Sequence, residues 1–132
     1  LNWIAPFDQM IMRAVKEAGG TCFLHVCNRD VNLDYYRDYD EKLYDVVNWG
    51  TFEVPCSLKE GREIFHQRTV MGGLANRQGV LAAGSEEALV NTIRSVTETY
   101  GRKGFILGAD CTVATEQDLS RIRLAVDTAR KL

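Results

Sequence analysis

Four short apolar runs, each followed by a stretch with helical signals, set what this chain can fold into. They lie at 21–27 (TCFLHVC), 45–49, 69–71 and 104–108 (GFILG), with about 23 to 36 residues from one to the next. Antiparallel neighbours are joined by hairpins of about two to five residues, whereas parallel neighbours need a crossover of about a dozen or more, usually a helix. The runs therefore predict an α/β fold with four parallel strands and flanking helices. The first run is almost continuously apolar, with β-branched and aromatic members, the pattern of a strand buried on both faces.

The stretches between the runs carry start and stop signals for helices. From Pro6 to Ala18 the residues Phe7, Met10, Ile11, Ala14, Val15 and Ala18 recur at helical spacing, with Gly19 and Gly20 as the stop. The segment from Asp30 to Lys42, rich in Asp and Tyr, predicts a loop leading into a helix over roughly 33–43. Ser57 and Glu60 form a capping box that opens the next helix, and Gly72-Gly73 are expected to close the third strand. Ser85 caps a helix whose face is Leu89, Ile93, Val96 and Tyr100, ended by Gly101. Thr115 with Asp118 is expected to cap a last helix with apolar residues Leu119, Ile122, Val126 and Ala129.

Length and charge narrow the function. A chain of 132 residues holds a real core but falls short of the roughly 250 residues of a closed (β/α)8 barrel. With 45% hydrophobic residues, 26% charged and a net charge of -2, neither disorder nor a nucleic-acid partner is expected. No run of about 18 apolar residues occurs, so no membrane association is expected and the cytoplasm is the default location. Cysteines at 22, 27, 56 and 111 lack the dense spacing of a disulfide scaffold, which leaves buried thiols, nucleophiles or metal ligands.

Three segments carry a family resemblance. They are Pro6-Phe7-Asp8 through Lys16-Glu17-Ala18-Gly19-Gly20 to Phe23-Leu24-His25-Val26-Cys27; then Met71-Gly72-Gly73-Leu74-Ala75-Asn76-Arg77 with Gly79-Val80-Leu81 and Gly84-Ser85-Glu86-Glu87; and Gly104 through Val113. In this order they resemble uroporphyrinogen decarboxylase-family barrels. The resemblance implies that 1–132 form the last four βα units, the C-terminal half of a TIM (β/α)8 barrel, with the N-terminal half absent. Such a half would expose strand edges and an apolar face, so a homodimer or association with the missing half-barrel is expected.

On a strand alternate side chains share a face, so His25 and Cys27 point the same way and Cys22 the other. Cys111 follows the GFILG run, and in (β/α)8 barrels the chemistry gathers at the C-terminal strand ends. One imidazole and two thiolates suit zinc and leave a fourth position open, for which Glu53 is a further candidate. The H-x-C…C pattern is similar to the zinc motif of corrinoid-dependent methyltransferases of this superfamily. That likeness implies methyl transfer from a methylated corrinoid, carried on a corrinoid protein, to a thiol acceptor, with His25, Cys27 and Cys111 holding zinc. Asn28 departs from the glycine usual after this motif, and Ala114 from the proline common after the last cysteine.

Other readings stand beside this one. The three residues are also compatible with a core histidine and two buried thiols, and the family equally implies metal-independent decarboxylation of uroporphyrinogen or a related tetrapyrrole, a lyase of porphyrin metabolism. A third reading is a non-catalytic fragment that pairs with a partner half. Asn76 and Arg77, beyond the third run, are candidates to bind a small-molecule substrate, the arginine through an anionic group, or are surface-loop residues. Asp110 either orients a ligand from behind or caps a turn. Tyr35, Tyr36, Tyr39 and Tyr44 suggest a half-exposed helix packed on a neighbour.

Overall fold

The computed structural model describes residues 3–132. Helix α1 (Ala5–Glu17) leads to strand β1 (Phe23–Val26), then two 3-10 turns (Leu33–Tyr36, Glu41–Leu43) and strand β2 (Val46–Trp49). Helix α2 (Leu58–Ile64), strand β3 (Thr69–Leu74), helices α3 (Gly79–Ala82) and α4 (Glu86–Tyr100), strand β4 (Phe105–Ala109) and helix α5 (Leu119–Ala129) complete the order. The strands pair in sequence order, β1-β2-β3-β4, every pair parallel. The fold is α/β, a four-stranded parallel sheet with flanking helices.

The capping signals work as read. Ser57 Oγ accepts from Glu60 N while the Glu60 carboxylate accepts from Ser57 N at 2.8 Å, both halves of the box before α2. Ser85 Oγ accepts from Ala88 N at 3.1 Å, and Gly101, at φ 72°, ends α4 in a conformation few side chains tolerate.

Several expectations are corrected. The segment after β1 makes two 3-10 turns and no helix over 33–43, because Asn32 and Asp40 accept from Asp34 N and Lys42 N and so restart the backbone twice. Tyr39 and Tyr44 are buried, packed with Tyr36 and Phe65. Strand β3 runs through Gly72 and Gly73, where close packing excludes side chains: a Cβ on Gly73 would stand 2.7 Å from Val96 Cγ1. Asp118 alone caps α5, accepting from Ser120 N, since the helix begins one residue later. Leu119 and Val126 point outward from α5, which buries Ala125 and Thr128 instead.

The core lies on one side of the sheet. Val26, Val47, Trp49 and Val70 meet Met12, Leu58, Ile64 and Phe65, while Leu74, Leu81, Leu89, Ile93 and Ala125 form a second cluster under α3, α4 and α5. Trp49 fits against α2 only because residue 61 is glycine; a Cβ there would enter the indole ring. Gly61→Ala should cost about 1–3 kcal/mol by overpacking, in spite of alanine's better helix propensity, read as a lower denaturant midpoint.

The opposite face is open, so β1 is not buried on both faces: Phe23 is 55% exposed and His25 is exposed as well. That face carries side chains that no other described element covers. Phe7, Met10 and Ile11 likewise point outward from α1, which buries Met12.

Asp45 ties α1 to the sheet. Lys16 Nζ donates to its two oxygens at 2.8 and 2.9 Å, and Cys22 N donates to Oδ2 at 2.8 Å. The lysine hydrogen bonds, then the backbone one, hold the carboxyl below its ordinary value of 3.8. Its stabilisation is therefore complete above that value and is lost as pH falls through the lower folded one. Asp45→Asn should lower Tm at pH 7, and the difference should shrink as pH falls through the carboxyl's lowered folded value.

Candidate metal centre

His25 stands third in β1 and shares the open face with Phe23. The strand register places Asn48 of β2 opposite His25, and Met71 of β3 opposite Asn48, so one row crosses three strands. On β4 Gly108 makes room for this row, since a Cβ there would lie 2.8 Å from Met71 Cγ. A cavity of ≈ 240 Å³ opens along the row, lined by Phe23, His25, Asn48, Met71, Cys111 and neighbouring backbone.

Cys27 follows β1 directly and Cys111 follows β4 by two residues, at the same end of the sheet. These are the two outer strands, so for their C-terminal ends to meet the sheet must curl across the middle pair, as in a barrel. The Cys27 and Cys111 sulfurs are 3.4 Å apart, and Cys111 Sγ is 3.4 Å from His25 Nε2. The three ligand atoms all lie within 4.8 Å of one another. Tetrahedral zinc with bonds of about 2.0–2.3 Å needs its ligand atoms about 3.3–3.8 Å apart, a spacing these side chains approach without backbone movement. His25 and Cys27 are exposed, leaving approach from solvent open.

The segment bearing Cys111 is braced on both sides. Asp110 N donates to Leu74 O at 2.9 Å, and the Asp110 carboxylate, 2% exposed, accepts from Thr51 Oγ1 at 3.1 Å and Phe52 N at 2.9 Å. Asp110 thus fastens the loop after β2 to the end of β4. Burial pushes its carboxyl above the ordinary value, and the bonds from Phe52 and Thr51 oppose that. Beyond Cys111, Asn76 donates to Thr112 O at 3.1 Å; at 8% exposure its amide nitrogen serves the backbone. Arg77 is exposed, and its charge reaches Cys27.

The two thiols differ. Burial would raise Cys111, but hydrogen bonding with Cys27 and the Thr112 backbone, with the His25 imidazole beside it, outweighs that and holds the thiol below 9.0. Cys27 is held above 9.0, first by its hydrogen bond to Cys111 and then by that neighbour's charge, with Glu53 adding and Arg77 opposing. Glu53 lies outside the three-residue cluster. Cys22 is buried on the other face, and Cys56 is half-buried.

One residue of this site escaped the sequence reading. Asn48, 5% exposed, sits 2.6 Å from His25 Nδ1 through Oδ1. A lone asparagine inside the apolar stretch Val46-Val47-Asn48-Trp49 was the available signal, because a buried amide in a strand needs partners the ladder does not supply.

The family model described as Uroporphyrinogen decarboxylase (URO-D) matches residues 1–132. The chain belongs to the uroporphyrinogen decarboxylase family. A solved structure of a methyltransferase from Methanosarcina mazei is similar to this family member with a TM-score of 0.69 and 18% sequence identity. The match covers 93% of the present chain and 34% of that one, so the chain spans about a third of its length. At this identity the likeness establishes fold, that of part of a (β/α)8 barrel. No curated protein matches the chain at a significant level. None of the described helices is long and apolar enough to cross a membrane.

Proposed function

We propose that this uroporphyrinogen decarboxylase-family chain carries the zinc site of a methyltransferase that moves a methyl group from a methylated corrinoid, held on a separate protein, to a thiol acceptor. The supporting observation is the meeting of His25 Nε2, Cys27 Sγ and Cys111 Sγ from the two outer strands. When bound, zinc would supply positive charge that lets an acceptor thiol lose its proton at neutral pH.

The chain's own residues prepare that position. Cys27 and Cys111 offer sulfur donors, and two thiolates keep the local charge high enough for an acceptor sulfur to remain nucleophilic. Asp110 and Asn76 hold Cys111 in place through the loop after β2 and the Thr112 carbonyl. Exposed Arg77, whose charge reaches Cys27, would serve as a counter-charge for an anionic part of the acceptor. Under this reading the chain is the C-terminal half of a barrel whose other strands cover the open face bearing Phe23 and Ile106.

The family description favours a second reading, metal-independent decarboxylation of uroporphyrinogen or a related tetrapyrrole. Purification in the presence of zinc, followed by metal analysis and a methyl-transfer assay with free methylcobalamin and a thiol, separates the two. The proposal expects about one equivalent of zinc and zinc-dependent methylation. Zinc below about 0.2 equivalents in a protein that carries both halves of the barrel, unchanged by His25→Ala, would overturn it.

A further inference from the structure

The side-chain amide of Asn48 connects all four strands at the level of the site, and its two ends are not interchangeable. Nδ2 lies 2.9 Å from the Met71 carbonyl on β3 and 3.3 Å from the Ala109 carbonyl on β4. Carbonyl oxygens only accept, so the NH2 group must face them; a flipped amide would set its oxygen against two others in a buried place. That leaves Oδ1 toward His25 Nδ1 at 2.6 Å. An amide oxygen only accepts as well, so Nδ1 must carry the hydrogen. The lone pair of the neutral ring is then on Nε2, the nitrogen 3.4 Å from Cys111 Sγ.

We propose that Asn48 is a positioning residue that locks His25 in the Nδ1–H tautomer and holds Nε2 ready to bind a metal beside Cys27 and Cys111. Two backbone carbonyls from β3 and β4 thus decide which nitrogen a β1 histidine presents, and the ring cannot flip without breaking the 2.6 Å bond. The functional meaning of the lock rests on the zinc reading above; the tautomer does not.

The test uses metal-free protein with ¹⁵N-labelled histidine at about pH 8.5, some two units above the ordinary imidazole value. Two-bond ¹H–¹⁵N correlations should show His25 as Nδ1–H. Asn48→Leu should move it toward Nε2–H, the form favoured in water, and weaken zinc binding about 10–100-fold in a chelator competition. Asn48→Asp retains an acceptor toward Nδ1 but loses the donor to the Met71 and Ala109 carbonyls; where it folds it should keep the Nδ1–H signature, a rescue that a purely structural role would not produce. Wild-type His25 found as Nε2–H overturns the proposal, as does a folded Asn48→Leu with unchanged tautomer and zinc affinity. If the Asn48 variants fail to fold, the wild-type spectrum decides. A wild-type chain that shows Nδ1–H and takes up no zinc sinks the metal reading and leaves the lock intact.

Discussion

Cys111→Ala is expected to strip the chain of zinc and reduce methyl transfer to background. Cys111 is the hub of the cluster, 3.4 Å from both the Cys27 sulfur and the imidazole Nε2. Its removal leaves two donors from one strand, which cannot enclose an ion. Four-ligand zinc sites bind with about 10–16 kcal/mol, so an equal share for one ligand is about 3–4 kcal/mol, or roughly 10²–10³ in affinity. His25→Ala and Cys27→Ala should cost comparable amounts. Cys22→Ala, on the opposite face, and Cys56→Ala, in the loop before α2, should leave zinc content unchanged. Competition with a chromogenic chelator measures all five variants. Equal affinity in Cys111→Ala and wild type would refute the three-residue site.

Mild oxidation of the metal-free chain should join Cys27 to Cys111 and spare the other two cysteines. Their sulfurs, 3.4 Å apart, need a modest side-chain rotation to reach the bond length of about 2.05 Å. One thiolate of the pair would attack diamide, and the other sulfur would then displace the reduced diamide, so that two electrons and two protons pass to the oxidant and one S–S bond forms. Burial pushes up the Cys22 and Cys56 thiols, which keeps them slow. Thiol titration should fall from four free groups to two, with a 27–111 linked peptide by mass spectrometry. Zinc loaded beforehand should protect the pair. A bridge involving Cys56, or no bridge, would contradict the observed proximity.

The elements were legible to different degrees. Strand number and direction followed from four apolar runs at crossover spacing, because chain length between strands forbids hairpins whatever the tertiary details. The capping box at Ser57 and Glu60 was equally plain, since a cap is satisfied within a few residues. The segment from 33 to 43 misled, because repeated aspartate and asparagine caps compete with helix continuation. The glycines in β3 misled too: they read locally as a turn and are there to admit Val96 and Leu58.

By itself the sequence determined the α/β class and the shared face of His25 and Cys27, consequences of local periodicity and short-range spacing, while the family was carried by the resemblance of three segments. The tertiary structure alone decided that Cys111 arrives beside them from 84 residues beyond Cys27, that Asp110 and Asn76 serve to brace it, and that Asn48 sets the histidine. Those relations depend on how far a parallel sheet curls and on which carbonyls its neighbours leave facing a buried amide. Neither quantity is written in any window of residues, since each arises only when separate strands are packed together.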